Sequence, residues 1–146
     1  MKPKGVNRVI IAVRDLEKAV ALYSKLLGAT FHDVTEGAES YGVRTFISWD
    51  AGIELCAPLP GRNSYIEQII NKRGEGLVGA VFCVDDVDAV HDKAKEMGIG
   101  VVALIEYDQE QIDSHLGGLF TKYKEYMLRS ADVNGVGAIV GQIEPK

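Results

Sequence analysis

The chain has 146 residues, 47% hydrophobic and 25% charged, the composition of one ordinary globular domain. No apolar run approaches the roughly 18 to 20 residues that span a bilayer, and Met1-Lys2-Pro3-Lys4-Gly5 lacks a signal peptide's apolar core, so a cytoplasmic protein without membrane contact is expected. A net charge of −5, with 16 basic residues scattered along the chain, leaves no footprint for a phosphate backbone, and nucleic acid is not an expected partner.

In chain order, Arg8 to Val13 is a β-branched run that predicts a strand, and Asp15 then stands where a helix cap is wanted. Leu16, Ala19, Val20, Tyr23, Leu26 and Leu27 recur at helical spacing up to Gly28, predicting an amphipathic helix. Strand signals follow at Ala29 to Val34, at Tyr41 to Trp49, and, after a turn at Asp50-Ala51-Gly52, at Ile53 to Ala57. Between Pro58 and Gly76 the chain reads as a linker with one short helix. There Ser64 and Glu67 form a capping box ahead of Ile66, Ile69 and Ile70.

The pattern then repeats. Residues 8–27 lie without gaps on residues 79–98, so that Val13 falls on Val84, Asp15 on Asp86 and Leu16 on Val87. Val87, Val90, Ala94 and Met97 make the second helix face, closed at Gly98. Strands are predicted at Val101 to Glu106, Phe120 to Leu128 and Val136 to Ile143, the last preceded by an Asn134-Gly135 turn. A long polar stretch, Asp108 to Gly118, has the length of a lid or binding loop. Both halves read β-α-β-β-β. Modules this small bury too little apolar surface to stand alone, so they are expected to share one α+β domain over residues 1–146: module one at about 5–58, a linker at 59–76 and module two at about 77–144. Each module should put its helix on the convex side of a curved sheet, leaving the concave faces to line a cleft.

Val9-Ile10-Ile11-Ala12-Val13-Arg14-Asp15-Leu16-Glu17, then Tyr23, Leu26-Leu27-Gly28 and later Ile53-Glu54-Leu55, resembles the glyoxalase, bleomycin-resistance and extradiol-dioxygenase superfamily, the vicinal oxygen chelate fold. The resemblance covers nearly the whole chain and is weaker in the second half, at Val84-Asp85-Asp86-Val87 and Asp132-Val133-Asn134-Gly135. It implies paired βαβββ modules forming curved mixed sheets around a cleft. Metal-dependent members supply a His near the start of each half and a carboxylate or equivalent near its end. Here those positions carry Arg8, Gly79, Glu54 and Ile139, so only Glu54 matches. A lone carboxylate does not make a dedicated divalent-metal site. No metal and no cofactor is therefore expected.

By strand alternation Arg8, Ile10 and Ala12 face the same way as Glu54 and Cys56, while Gly79, Val81 and Cys83 line up with Gly137, Ile139 and Gly141. That gives a cavity polar at one wall and apolar at the other, its glycines there either to leave room or to let strands pack closely. Arg8 and Glu54 form the central constellation, either as an ion pair filling the vacated metal position or as an anion anchor beside a proton acceptor. Val81, Ile139, Gly79, His115 and Tyr123 complete the candidate ligand-binding set. Tyr123 and Tyr126 lie three apart, so at most one lines the cavity without a bulge. Of the other histidines, His91 reads as solvated on the second helix and His32 as a strand-edge residue, while Cys56 and Cys83 read as small buried residues of a reducing compartment, not a disulfide. The expected function is metal-independent binding of a small molecule in the cleft, as a homodimer. The alternatives are an isomerase, lyase or dehydratase using Glu54 as base and Arg8 as anion anchor, and, behind it, a metal-dependent lyase or dioxygenase.

Overall fold

In the computed structural model, which describes every residue from Met1 to Lys146, strand β1 (Pro3–Ala12) leads into helix α1 (Leu16–Leu27). The Asp15 side chain accepts from the Lys18 N–H at 3.0 Å, satisfying one of the helix's orphan donors. The second copy of the pattern does the same: β5 (Gly76–Val84) is followed by α4 (Val87–Glu96), with Asp86 accepting from the Ala89 N–H at 3.1 Å. The chain divides into two compact units, Arg8–Val78 and Gly79–Lys146 together with Met1–Asn7.

In the first unit β1 runs parallel to β4 (Ile53–Pro58), β4 antiparallel to β3 (Val43–Ser48), and β3 antiparallel to the two-residue β2 (His32–Asp33). In the second, β5 runs parallel to β8 (Gly137–Pro145), which pairs antiparallel with β7 (Phe120–Leu128), and β7 in turn with β6 (Val101–Tyr107). The same β-α-β-β-β connectivity is thus built twice, and the architecture is α+β.

In each unit one face of the strands is covered by that unit's own helix. Val13, Leu16, Ile53, Leu55 and Ala57 form a buried cluster joined by Val9, Ile11, Ala19, Val20, Tyr23 and Phe46, so the odd positions of β1 and β4 meet the apolar stripe of α1. Leu16 and Leu55 are fully buried, each worth about 1.5 to 3 kcal/mol of transfer free energy. Val87, Tyr126 and Val140 are the corresponding cluster against α4. The even positions, Ile10, Ala12, Glu54 and Cys56, are left for the opposite face of the first sheet, with Ile10 opposite Glu54 and Ala12 opposite Cys56.

Three local expectations need correction. The strand at Ala29 to Val34 shrinks to β2, and a short helix α2 (Thr35–Ala38) with a 3₁₀ turn (Glu39–Tyr41) precedes β3. The Asp33 side chain accepts from the Thr35 N–H at 2.9 Å, a local turn bond that competes with the ladder. The polar stretch after β6 is not a bare loop: it contains α5 (Gln109–His115), held by a full capping box between Asp108 and Gln111. Asn134 and Gly135 both adopt positive φ, but they sit inside a connection running from 129 to 136 that begins with a 3₁₀ turn, not in a two-residue hairpin. The linker helix is α3 (Tyr65–Arg73), capped by the Ser64 hydroxyl accepting from the Glu67 N–H at 3.1 Å.

Candidate functional site

On the face of the first sheet away from α1, the pleat brings together two charged side chains that a core excludes unless they are paired. Arg8 Nε donates to Glu54 Oε1 at 2.7 Å, with side-chain exposures of 3% and 11%. The Arg8 guanidinium also lies over the Trp49 ring, 5.2 Å from its centroid, a contact that stabilises a desolvated cation. The second oxygen of Glu54 accepts from the Cys56 thiol at 3.2 Å, and Cys56 Sγ lies 3.6 Å from the Thr45 hydroxyl. Thr45 stands opposite Cys56 in the β3–β4 register, and Glu54 is two residues before Cys56, so all three point the same way. Burial, reinforced by the Glu54 charge, pushes the Cys56 thiol well above its ordinary range.

The metal of the metal-dependent relatives does not fit these residues. A guanidinium at hydrogen-bonding distance from the single available carboxylate puts a fixed positive charge where a cation would have to coordinate. No group of three or more His, Cys, Asp or Glu side chains is arranged to hold a metal ion.

In the second unit Val81 and Ile139 are buried and directly opposite one another across β5 and β8. Gly79 stands opposite Gly137, and a Cβ added to Gly79 would lie 1.9 Å from the Gly137 carbonyl oxygen. Of the two readings of this glycine, close strand packing is the one the backbone demands. Gly141 has a different neighbour: its Cβ would come within 3.2 Å of Cγ of Glu125, which stands opposite it on β7 and is fully buried. Glu125 was not singled out from the sequence, although it lies two residues from Tyr123 on the same face.

Tyr123 and Tyr126 divide as their spacing requires. Tyr123 stacks on Tyr107 at 5.5 Å between centroids, and His115, on the last turn of α5, meets Tyr107 edge-on at 5.5 Å. Tyr126 turns to the helix side, where its hydroxyl donates to Asp88 Oδ1 at 2.9 Å. There it also stacks on His91 at 4.5 Å. His91 is accordingly half-buried against a ring and not the solvated residue expected, because α4 lays its polar edge along β7. His32 is an exposed strand residue of β2. Arg8 and Glu54 thus meet in one cluster; Gly79, Val81 and Ile139 share one pair of strands; His115 and Tyr123 join one aromatic group.

A family model described as Glyoxalase/Bleomycin resistance protein/Dioxygenase superfamily matches residues 5–107. The chain belongs to that superfamily. The match ends where β6 ends, just before α5. Among solved structures, methylmalonyl-CoA epimerase from Mycobacterium tuberculosis aligns with a TM-score of 0.73 at 26% identity, over 99% of this chain and 89% of that one. A Streptomyces coelicolor methylmalonyl-CoA epimerase variant in complex with 2-nitronate-propionyl-CoA aligns with a TM-score of 0.75 at 21% identity, over 97% of this chain and 98% of the other. A hypothetical protein from Bacillus halodurans C-125 gives 0.71 at 21% identity, with 100% and 96% covered. No curated protein matches the chain.

Proposed function

We propose that this superfamily member binds a small organic acid without the help of a metal, and that Arg8 and Glu54 are the centre of its ligand site. The observation that carries the reading is the 2.7 Å pair formed by Arg8, at a position where metal-dependent relatives place a ligand, and Glu54, the one carboxylate retained. A guanidinium keeps its charge at every working pH and presents a planar fork suited to carboxylates and phosphates. A ligand carboxylate that competes with Glu54 for Arg8 therefore supplies the recognition for which relatives use a cation.

A second reading is an isomerase, lyase or dehydratase in which Arg8 anchors the anion and Glu54 takes a proton from a carbon beside a carbonyl. The epimerases among the structural neighbours favour it. Binding is preferred because each Glu54 oxygen already accepts a hydrogen bond, one from Arg8 and one from Cys56, which leaves the carboxylate poorly placed to approach a C–H bond. We expect a cytoplasmic homodimer: both cysteines are free and buried, as suits a reducing compartment, and the outer strands β2 and β6 each pair on one side. No helix is long and apolar enough to cross a membrane.

Methylmalonyl-CoA, which joins a free carboxylate to a thioester, is the first probe. Calorimetric titration in the presence of a chelator is expected to give saturable binding, and the ester kept in D₂O with the protein should take up deuterium at its α-carbon no faster than without it. Chelator-resistant deuterium uptake that collapses in Glu54→Gln establishes the second reading. Stoichiometric metal in protein purified without a nickel column overturns both.

A further inference from the structure

Behind the ion pair lies a polar thread. Thr45, Cys56, Glu54 and Arg8 are all buried, and they follow one another at 3.6, 3.2 and 2.7 Å. The directions of these bonds are fixed by counting hydrogens. An ionised carboxylate only accepts, and a guanidinium only donates, so Arg8 donates to Oε1. At Oε2 the hydrogen must come from the thiol. Sγ is then left as an acceptor, and the Thr45 hydroxyl donates to it. A buried side chain chosen only to fill space at position 56 needs no hydrogen, and alanine or valine would serve.

We propose that Cys56, braced by Thr45, is a positioning residue of the Arg8–Glu54 site: its thiol fixes one oxygen of Glu54 so that the other is presented to Arg8. The proposal rests on taking that pair as the ligand site. A carboxylate held at one oxygen cannot swing away when a ligand anion competes for Arg8, so the site keeps its shape through binding and release. The thiol is held protonated by its burial and by the neighbouring Glu54 charge, which makes Cys56 a permanent donor and removes it as a nucleophile. It touches Glu54 and acts through it.

The S–H stretching band of Cys56, isolated in the Cys83→Ala chain, tests the contact in the infrared without any ligand. The expected band is shifted down by a charged acceptor, rises in Glu54→Gln, and reaches the position of an unbonded thiol in Arg8→Met/Glu54→Leu, which removes both charges together and guards against misfolding of the single variant. Thr45→Val should move the band part of the way. For function, Cys56→Ala is expected to weaken methylmalonyl-CoA binding by about tenfold, as loss of a hydrogen bond to a charged group implies. Cys56→Ser, which restores a donor, should remain within about threefold of the parent, a rescue that a purely space-filling cysteine would not require. A band unmoved by both Glu54 variants, or a Cys56→Ala chain with parental affinity, overturns the proposal. A parent chain that does not bind methylmalonyl-CoA overturns the functional reading instead, and the band then decides the thiol contact alone.

Discussion

The Arg8–Glu54 pair yields to a double-mutant cycle whose outcome can be worked out in advance. Arg8→Met leaves a buried carboxylate without its guanidinium, and Glu54→Leu leaves the guanidinium without that carboxylate. With side-chain exposures of 3% and 11%, neither survivor is well solvated. Removing one member of a buried pair costs about 3 to 5 kcal/mol, whereas replacing both by apolar residues of similar volume is near neutral. The singles should therefore each consume much of a domain's total stability of about 5 to 15 kcal/mol, and the double variant should recover most of the loss. Urea unfolding measures this directly: with a slope of about 1.5 kcal/mol per molar, each single lowers the midpoint by about 2 to 3 M. The double should lie within about 1 M of the parent. The coupling energy then exceeds about 4 kcal/mol, beyond the upper end of about 3 kcal/mol usual for residues in contact. Singles that cost less than about 1 kcal/mol, as exposed ion pairs do, or a double variant equal to the sum of its singles, would refute the account of this pair as a buried, mutually dependent unit.

Other outcomes follow from the same geometry. Gly79→Ala places a Cβ 1.9 Å from a backbone oxygen, so β5 and β8 must separate, and circular dichroism should show a chain destabilised by more than about 3 kcal/mol or unfolded. Gly141→Ala, whose new carbon meets side chains alone, Glu125 at 3.2 Å and Ile143 at 3.5 Å, should cost less, which thermal melts of the two variants compare. Asp88 is held below its ordinary carboxyl value of 3.8, chiefly by hydrogen bonds from Lys124 and then Tyr126. A depressed folded value means that its stabilisation is in place above 3.8 and is lost as pH falls through the lower folded value. Urea midpoints measured from pH 6 downward should therefore fall more shallowly in Asp88→Asn than in the parent, and a parallel fall would count against the Lys124–Asp88 bridge. Asp108→Ala removes the α5 cap and should speed amide hydrogen exchange in Gln109–His115, at a cost of about 1 kcal/mol.

The repeat carried most of the fold. Aspartates in matching places, Asp15 and Asp86, announce the start of each helix because a cap is a local requirement, met by the same side chain in the same place. Apolar periodicity identified the faces of β1, β4 and α1, for burial on one side is all that alternation reports. What escaped was either short or relational. Strand β2 is two residues long, below what periodicity resolves. Helix α5 depends on an Asp108/Gln111 box that was legible but stood in a stretch too polar to announce a helix. Within the site, Arg8 facing Glu54 could be read from alternation once the family's positions were in mind. The Thr45–Cys56–Glu54 thread could not, because it depends on which residue of β3 stands opposite Cys56, and register is decided by two strands at once. Glu125 and Gly141 pose the same difficulty, since each explains the other only after β7 and β8 are paired.

The four positions that the family resemblance assigns to metal ligands, Arg8, Gly79, Glu54 and Ile139, differ in what their surroundings permit. At Arg8 the obstacle to a metal is chemical: a fixed cation stands there, balanced by Glu54 at 2.7 Å. Removing it requires one substitution and leaves the backbone alone. At Gly79 the obstacle is in the backbone. A Cβ at Gly79 would lie 1.9 Å from the Gly137 carbonyl oxygen, so no ligand side chain fits there without moving a strand. Ile139 has joined the apolar interior opposite Val81, and a carboxylate there would be buried against an apolar partner. In the second unit Gly79 leaves no room for a side chain and Ile139 is apolar, whereas in the first Arg8 and Glu54 form a hydrogen-bonded ion pair. The polarity is concentrated where Arg8 and Glu54 meet, and it is there that the proposed recognition by charge would act.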